Sequence, residues 1–289
     1  MTTTTLNDNS NDPNISDEEL NIFVDALIHL SKYDFSEYSE KSLKRRIEKI
    51  SNDQKINLIQ LIDRMHNGSI SIEDIVKSIT VNTTELFRDT PMWLSLKDGI
   101  LPQLAKQDNI NIWHAGCSSG QEVFSMIILL NELNLLEKTK IFATDINYDI
   151  LEQAQKGVFK LSFNQFYVEN FNKVLNDDPQ KIQVSFEKYF DIDKTKDLIK
   201  AKPILTQKPQ FVQHDLVKDG NVFNTKFDII MCRNVLIYFN SSLQNKVFQL
   251  FYDSLESNRF LIIGIHESML GPLQPKFDKD KQTYKKRPY

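Results

Sequence analysis

The chain has 289 residues, enough for one large domain or two modest ones. Hydrophobic residues at 40% and charged residues at 26% exclude wholesale disorder. Lys+Arg 35 against Asp+Glu 39 leaves a net charge of −4, which argues against a general polyanion binder and hence against nucleic acid as the partner.

Residues 1–16 are rich in Thr, Asn and Asp and read as a flexible tail with no secretory signal. From Asp17, Leu20, Phe23, Val24, Leu27 and Leu30 recur at helical spacing. Three further helices are predicted over Glu37–Ile50, Ile56–His66 and Ile72–Ile79, with Ser51-Asn52-Asp53 and Asn67-Gly68 as connectors. Residues 17–80 therefore form a small all-α domain, and 81–107 a linker and entry helix. After Asp108, apolar strands alternate with helical patterns: Ile110–Ala115, helix Glu122–Leu136, Lys140–Thr144, helix Asp149–Lys156, then Gln210–His214, Phe227–Cys232, helix Leu243–Leu255 and Phe260–Gly264. This rhythm predicts an α/β domain over 108–289 with a mostly parallel sheet, whose ligand sits at the carboxyl ends of the strands. A polar insertion interrupts it at about 160–209. No apolar run is long enough to span a bilayer, so direct membrane insertion is not expected. The two cysteines, Cys117 and Cys232, offer no disulfide framework, and a reduced, cytoplasmic, monomeric protein is the expectation.

Two loops carry the candidate chemistry. Trp113-His-Ala-Gly-Cys-Ser-Ser-Gly-Gln-Glu122 joins a strand to a helix and holds two of the eight glycines, Gly116 and Gly120. Neither GxGxxG nor a P-loop pattern is present. Asp145 ends the next strand, where a carboxylate can accept both hydroxyls of a ribose. A plain tight turn with a capping aspartate is the bland alternative. The spacing alone does not separate NAD from S-adenosylmethionine, although Glu122 suits an ammonium better than a pyrophosphate. Arg233-Asn234 directly follows an apolar strand; Arg233 can bind a carboxylate and Tyr238 orient one, or Asn234 is a helix cap and Arg233 a surface residue. Val81–Arg88 is either a lid over the cleft or a solvated connector. The helix around Lys41–Ile50 turns Leu43, Ile47 and Ile50 to one side and Lys41, Lys44, Arg45 and Lys49 to the other. That basic stripe is a solvated face or a landing surface for an acidic partner. No His/Cys spacing supports a metal, and Cys117 lacks a base that would make it a nucleophile.

Taken together, Ile79-Thr-Val-Asn-Thr-Thr-Glu-Leu-Phe-Arg-Asp89, Trp113–Glu122, Phe142-Ala-Thr-Asp145 and Cys232-Arg-Asn-Val-Leu-Ile-Tyr-Phe-Asn240 resemble the CheR-type glutamate O-methyltransferases of bacterial chemotaxis. Ile263-Gly-Ile-His-Glu-Ser268 looks like that family's final strand. The resemblance runs from about residue 17 to 287. It implies a Rossmann-like class I S-adenosylmethionine-dependent methyltransferase sheet behind the helical domain, with a small inserted subdomain. It implies S-adenosylmethionine as cofactor, contacted by Asn82, Thr84 and Arg88 from the linker, Glu122 at the ammonium, Asp145 at the ribose, Asp215 and Leu216 at the adenine, and Arg233 and Asn234 at the methionine end. Arg88, Arg233 and Tyr238 are the implied catalytic residues. Lys41, Lys44, Arg45, Arg46 and Lys49 are the implied receptor-binding face, meeting cytoplasmic helices that carry acidic methylation sites.

Gln121 stands where the family often has a second glutamate, Val123 where it usually has proline, and Leu86 where phenylalanine is common. The Asp145-Ile-Asn147 end lacks a frequent second aspartate. Asp191–Ile199 lacks the Gly-rich turn of members that bind a receptor tail peptide. A glutamate carboxylate is already ionised at neutral pH, so the implied reaction needs no general base. A non-catalytic, S-adenosylmethionine-binding signalling scaffold is the alternative function.

Overall fold

The structure, a computed structural model, describes residues 15–80, 82–162 and 164–288. The tail expected over 1–16 lies outside the described residues except for Ile15 and Ser16. Two compact units divide at Thr80 and Val81.

Among the described residues, the first unit holds four helices: α1 (Asp17–Leu30), α2 (Glu40–Gln54), α3 (Leu58–His66) and α4 (Ile72–Ile79). Ser16 and Glu19 form a reciprocal capping box on α1, and Asn57 and Gln60 do the same for α3. Phe23, Leu27, Ile47, Leu61 and Ile75 build the core. Helix α2 does not stop at Ile50 as predicted. Ser51-Asn52-Asp53 continue it, and Lys55 closes it in the left-handed region at φ 54°, its N–H reaching back to Asn52 and Ser51 carbonyls. The connector reading failed there because turn-forming residues are tolerated in the solvent-facing last turn of a helix whose apolar face is packed.

The second unit opens with the linker to Asp89 and a helical stretch made of α5 (Thr90–Ser95), a wide π-type turn (Leu96–Ile100) and α6 (Leu101–Leu104). There follow β1 (Ile110–Ala115), α7 (Gln121–Glu132), β2 (Thr139–Asp145), α8 (Tyr148–Lys156), β3 (Val158–Lys160), α9 (Phe166–Leu175), β4 (Phe190–Asp193), β5 (Leu198–Ala201), α10 (Pro203–Thr206), β6 (Gln210–Gln213), β7 (Phe227–Cys232), α11 (Ser241–Ser254), β8 (Leu255–Ile263), β9 (Phe277–Asp280) and β10 (Thr283–Lys286). Seven strands form one sheet in the order β6-β2-β1-β7-β8-β10-β9. Strands β6, β2, β1, β7 and β8 run parallel, with Ile112 in register with Ile141 on one side and Ile229 on the other. β10 pairs antiparallel with β8 and with β9. From β1 the chain builds outward to β2 and β6, then returns to β7 on the other flank. The carboxyl ends of β1 and β7 therefore border the topological switch point, the standard ligand crevice of such sheets.

Helix α7 explains how that crevice is held. Val123–Leu130 are all buried, because the helix lies between the sheet and the inserted segment rather than on the surface. The insertion is a small antiparallel sheet, β3-β5-β4, with α9 beside it. Tyr189 and Tyr167 from this segment bond Asn131 and Gln121 at the two ends of α7, at 2.6 and 2.8 Å. On the opposite face of the sheet, Trp113 is ringed by His214, Phe223, Phe227 and Phe251 at 5.4–5.9 Å and bonds Thr144 through its indole N–H at 2.9 Å.

Three expectations are corrected. Helix α7 ends at Glu132, not Leu136, because Asn134 takes a left-handed conformation at φ 57°. Strand β8 starts at Leu255 rather than Phe260. Ile263–Ser268 is not the final strand: β8 ends at Ile263, the chain turns, and β9 and β10 follow.

Candidate functional site

The first loop is shaped by backbone. Gly116 at φ 79° lets the N–H groups of both Gly116 and Cys117 donate to the Thr144 carbonyl, each at 2.8 Å. A Cβ on Gly116 would lie 2.4 Å from Val235 Cγ2, so only glycine admits the β7 loop this closely. Asp145 is buried and accepts the N–H of Ser118 at 2.9 Å and of Asn147 at 3.0 Å. Burial pushes its carboxyl above the ordinary range, against the pull of those amides.

Charge converges next to it. The Arg233 side chain, 2% exposed, donates through Nη1 to Glu122 at 3.0 Å and through Nη2 to Asp89 at 2.6 Å and to the Arg88 carbonyl at 3.1 Å. The other Glu122 oxygen meets His114 Nδ1 at 2.9 Å. Burial works to raise the Glu122 carboxyl, yet the His114 hydrogen bond and the Arg233 charge hold it below the usual value. Two carboxylates and one guanidinium leave this cluster short of one positive charge whenever His114 is neutral, a setting that favours a cationic ligand group.

The linker is docked, which removes the solvated-connector alternative for Leu86–Asp89. Leu86 and Phe87 are fully buried. Phe87 sits at φ 52° with its N–H on Ser125 Oγ of α7 at 2.8 Å, and Asp89 at φ 61°. Asn170 donates to the Leu86 carbonyl at 3.2 Å, and the Trp93 indole to the Arg88 carbonyl at 2.9 Å. A left-handed aromatic residue is costly and persists only where its surroundings over-determine it. Here α7, α9 and Arg233 supply those constraints.

Residues 82–286 match the family described as CheR methyltransferase, SAM binding domain. The chain belongs to this family. A protein of Pseudomonas putida carrying the name methyltransferase Cher3 is 32% identical over 255 residues, 88% of this chain and 90% of that protein. The chemotaxis protein methyltransferase of Borreliella burgdorferi is 29% identical over 92% of this chain and 95% of its own length. That of Vibrio parahaemolyticus is 34% identical over 70% of each. The CheR sheet described above is thus a Rossmann-like class I methyltransferase sheet, and S-adenosylmethionine is its cofactor.

The residues of this CheR chain fit that cofactor. Among the described residues, five buried polar atoms on the strand ends and loops of this sheet have no protein partner: His114 Nε2 near the end of β1, Ser118 Oγ after it, Asn147 Nδ2 after β2, His214 Nδ1 after β6 and Arg233 Nε after β7. Buried polar atoms left without partners are costly, and a nucleoside bearing an amino acid offers the hydroxyls, ring nitrogens and carboxylate to satisfy them. Glu122, Asp145, Asp215, Leu216, Arg233 and Asn234 all stand at these carboxyl ends. Asp215, half-buried, accepts the Val217 N–H at 2.8 Å and is raised by burial. Asn82, Thr84 and Arg88 are half-buried on the linker, and Tyr238 lies in the short turn Leu236–Tyr238.

Sequence reasoning missed Asp89, His114 and Ser118. Asp89 entered the sequence reading only as the last residue of the Ile79–Asp89 stretch, with no role assigned to it. Asn147 stood out as a departure from the family pattern, but its capping of α8 and its orphaned amide were not foreseen. The basic residues lie on α2 in the first unit. Lys41, Arg45 and Lys49 are exposed; Lys44 is paired with Asp17 and Arg46 is half-buried. Lys49 also meets Asp53 at 2.7 Å. Metal-binding groups of three or more His, Cys, Asp or Glu are absent among the described residues.

Proposed function

We propose that this CheR methyltransferase transfers a methyl group to glutamate side chains on the cytoplasmic helices of chemotaxis receptors, forming γ-methyl esters, and that it works as a cytoplasmic monomer. The observation that carries this reading is the commitment of the site's carboxylates to protein donors, which leaves neither Glu122 nor Asp145 as a base for a neutral nucleophile. Glu122 is engaged by His114 and Arg233, and Asp145 by the backbone amides of Ser118 and Asn147. A substrate carboxylate needs no such base, since it is ionised at neutral pH. The names of the relatives, chemotaxis protein methyltransferases, support the same substrate.

S-adenosylmethionine, when bound, supplies an electrophilic methyl on a sulfonium. Glu122 takes the amino acid's ammonium, Asp145 the ribose hydroxyls, and Asp215 and Leu216 flank the adenine, with Asn82, Thr84, Arg88 and Asn234 completing the enclosure. Arg233 directs its terminal nitrogens to Glu122 and Asp89, so its unpartnered Nε is the atom left for a ligand carboxylate. Arg88 and Tyr238 orient the incoming glutamate by single hydrogen bonds. Partial contacts keep the oxygen nucleophilic, whereas a closed bidentate clamp would blunt it. Lys41, Lys44, Arg45, Arg46 and Lys49 receive the acidic receptor helices.

Titration calorimetry with S-adenosylmethionine and S-adenosylhomocysteine, followed by tritiated methyl transfer to receptor-containing membranes, tests the proposal. The expected result is saturable binding of both and base-labile label on receptor. Binding without label on cognate receptors would replace the enzyme by a signalling scaffold.

A further inference from the structure

The turn carrying Arg233, Asn234 and Tyr238 has no regular hydrogen-bonding partner strand, and its backbone donors converge on one buried carboxylate. Glu267, 8% exposed, accepts the N–H of Asn234 at 3.0 Å and of Gly264 at 2.5 Å on Oε2, and of Ile237 at 3.2 Å on Oε1. A tight turn, closed by the Glu267 N–H on the Gly264 carbonyl at 3.1 Å, folds this side chain back from the end of β8 across to the end of β7. Asn234 adopts φ 60°, a left-handed conformation that asparagine tolerates better than most residues, and its N–H is one of the donors held by this carboxylate. No cation faces the carboxylate in these contacts. Burial pushes it up, while the surrounding amides pull it down.

The fit leaves no slack. A Cβ on Gly264 would stand 2.8 Å from Glu267 Oε2 and 3.0 Å from Asn234 N. On its far side the same turn presses Val235 against Gly116 of the cofactor loop. The turn is therefore trapped between the glycine loop and one carboxylate. Small displacements of groups that align reactants cost large factors in rate.

We propose that Glu267 is a positioning residue for methyl transfer: its carboxylate fixes the 234–237 turn, and through it the placement of Tyr238, whereas Arg233 is anchored separately by Glu122 and Asp89, which keeps most of the cofactor grip independent of the turn. This rests on the reading of the site given above. Glu267→Gln is nearly isosteric but turns an NH2 group toward one set of N–H donors in either orientation, so at least one amide is lost. Gly264→Ala disturbs the same contact from the other side with Glu267 retained, and serves if the first variant fails to fold. For either variant, kcat for receptor methylation is expected to fall about 10- to 100-fold. The Kd for S-adenosylhomocysteine should stay within about threefold, with faster amide hydrogen exchange confined to 233–239 and 263–267. Glu267→Asp, which keeps the charge on a shorter arm, should recover part of kcat. Unchanged exchange in 233–239 would overturn the proposal, as would faster exchange with kcat intact, or a parallel collapse of kcat and cofactor binding. Wild-type protein that binds cofactor but labels no receptor would overturn the substrate reading instead, and exchange at 234–237 would still decide whether Glu267 holds the turn.

Discussion

The molecule carries two concentrations of charge built from the same side chains and used in opposite ways. On α2 in the first unit, Lys41, Arg45 and Lys49 stand in solvent, where each charge keeps its hydration and its neighbours contribute little to stability. In the second unit, Arg233 and His114 are removed from water, Glu122 and Asp89 largely so, and the four depend on one another. Exposed charge stays within reach of a partner. Buried charge is committed to holding the linker and the cofactor loop in one arrangement.

Truncation should expose that difference most sharply at Arg233. Arg233→Ala strands Glu122 and Asp89 without their cation, and should cost about 3–5 kcal/mol in urea denaturation together with methyl transfer. A cost under about 1 kcal/mol would mean that the cluster is effectively hydrated. Glu122→Gln gives a smaller effect with a pH signature. The Glu122 carboxyl is held below its ordinary value of 4.5, so its pairing stabilises the fold fully above that value and is lost as pH falls through the lower, folded one. The stability gap between wild type and variant should stay constant from neutral pH down to the ordinary carboxyl value and close below it; a gap that widens on acidification would contradict the assigned direction.

On the exposed side, combined Lys41→Glu, Arg45→Glu and Lys49→Glu should lower receptor methylation at least about 10-fold and steepen with falling salt, since the affected contact is between solvated charges. Cofactor affinity and unfolding midpoint should hardly move; equal loss of methylation and cofactor binding would end the division of labour. Tyr238→Phe should reduce kcat about 10-fold without altering cofactor affinity, as expected for one hydrogen bond made in the reacting complex. Lys49→Ala should cost no more than about 0.5 kcal/mol, because it removes only an exposed pair with Asp53 one helical turn away.

Legibility in the sequence followed burial. Ile110–Ala115 and Phe227–Cys232 were readable to the residue, since strands buried on both faces are predominantly apolar, here interrupted only by Asn111, His114 and Asp228. The strands Phe190–Asp193, Leu198–Ala201, Phe277–Asp280 and Thr283–Lys286 were not, because four-residue strands that alternate with Lys and Asp look like surface loop. The glycine loop, Asp145 and Arg233 announced themselves by their position after apolar strands. Glu267 did not: in sequence it follows an exposed Ile265-His266 pair, and only the fold carries its carboxylate under the Asn234 turn. Asp89 was hidden for the same reason, its partner Arg233 lying far along the chain.

The large sheet ends on one side at Gln210–Gln213 and on the other at Phe277–Asp280, where Asp278, Lys279 and Asp280 are exposed. Both border strands are only four residues long, and the second alternates the sign of its charge. Another copy approaching either border would find few backbone groups to pair with and, at the second, would have to strip water from three ionised side chains. The consequence is protection at the borders: a long, strongly apolar parallel sheet offers a second copy little to join edge to edge.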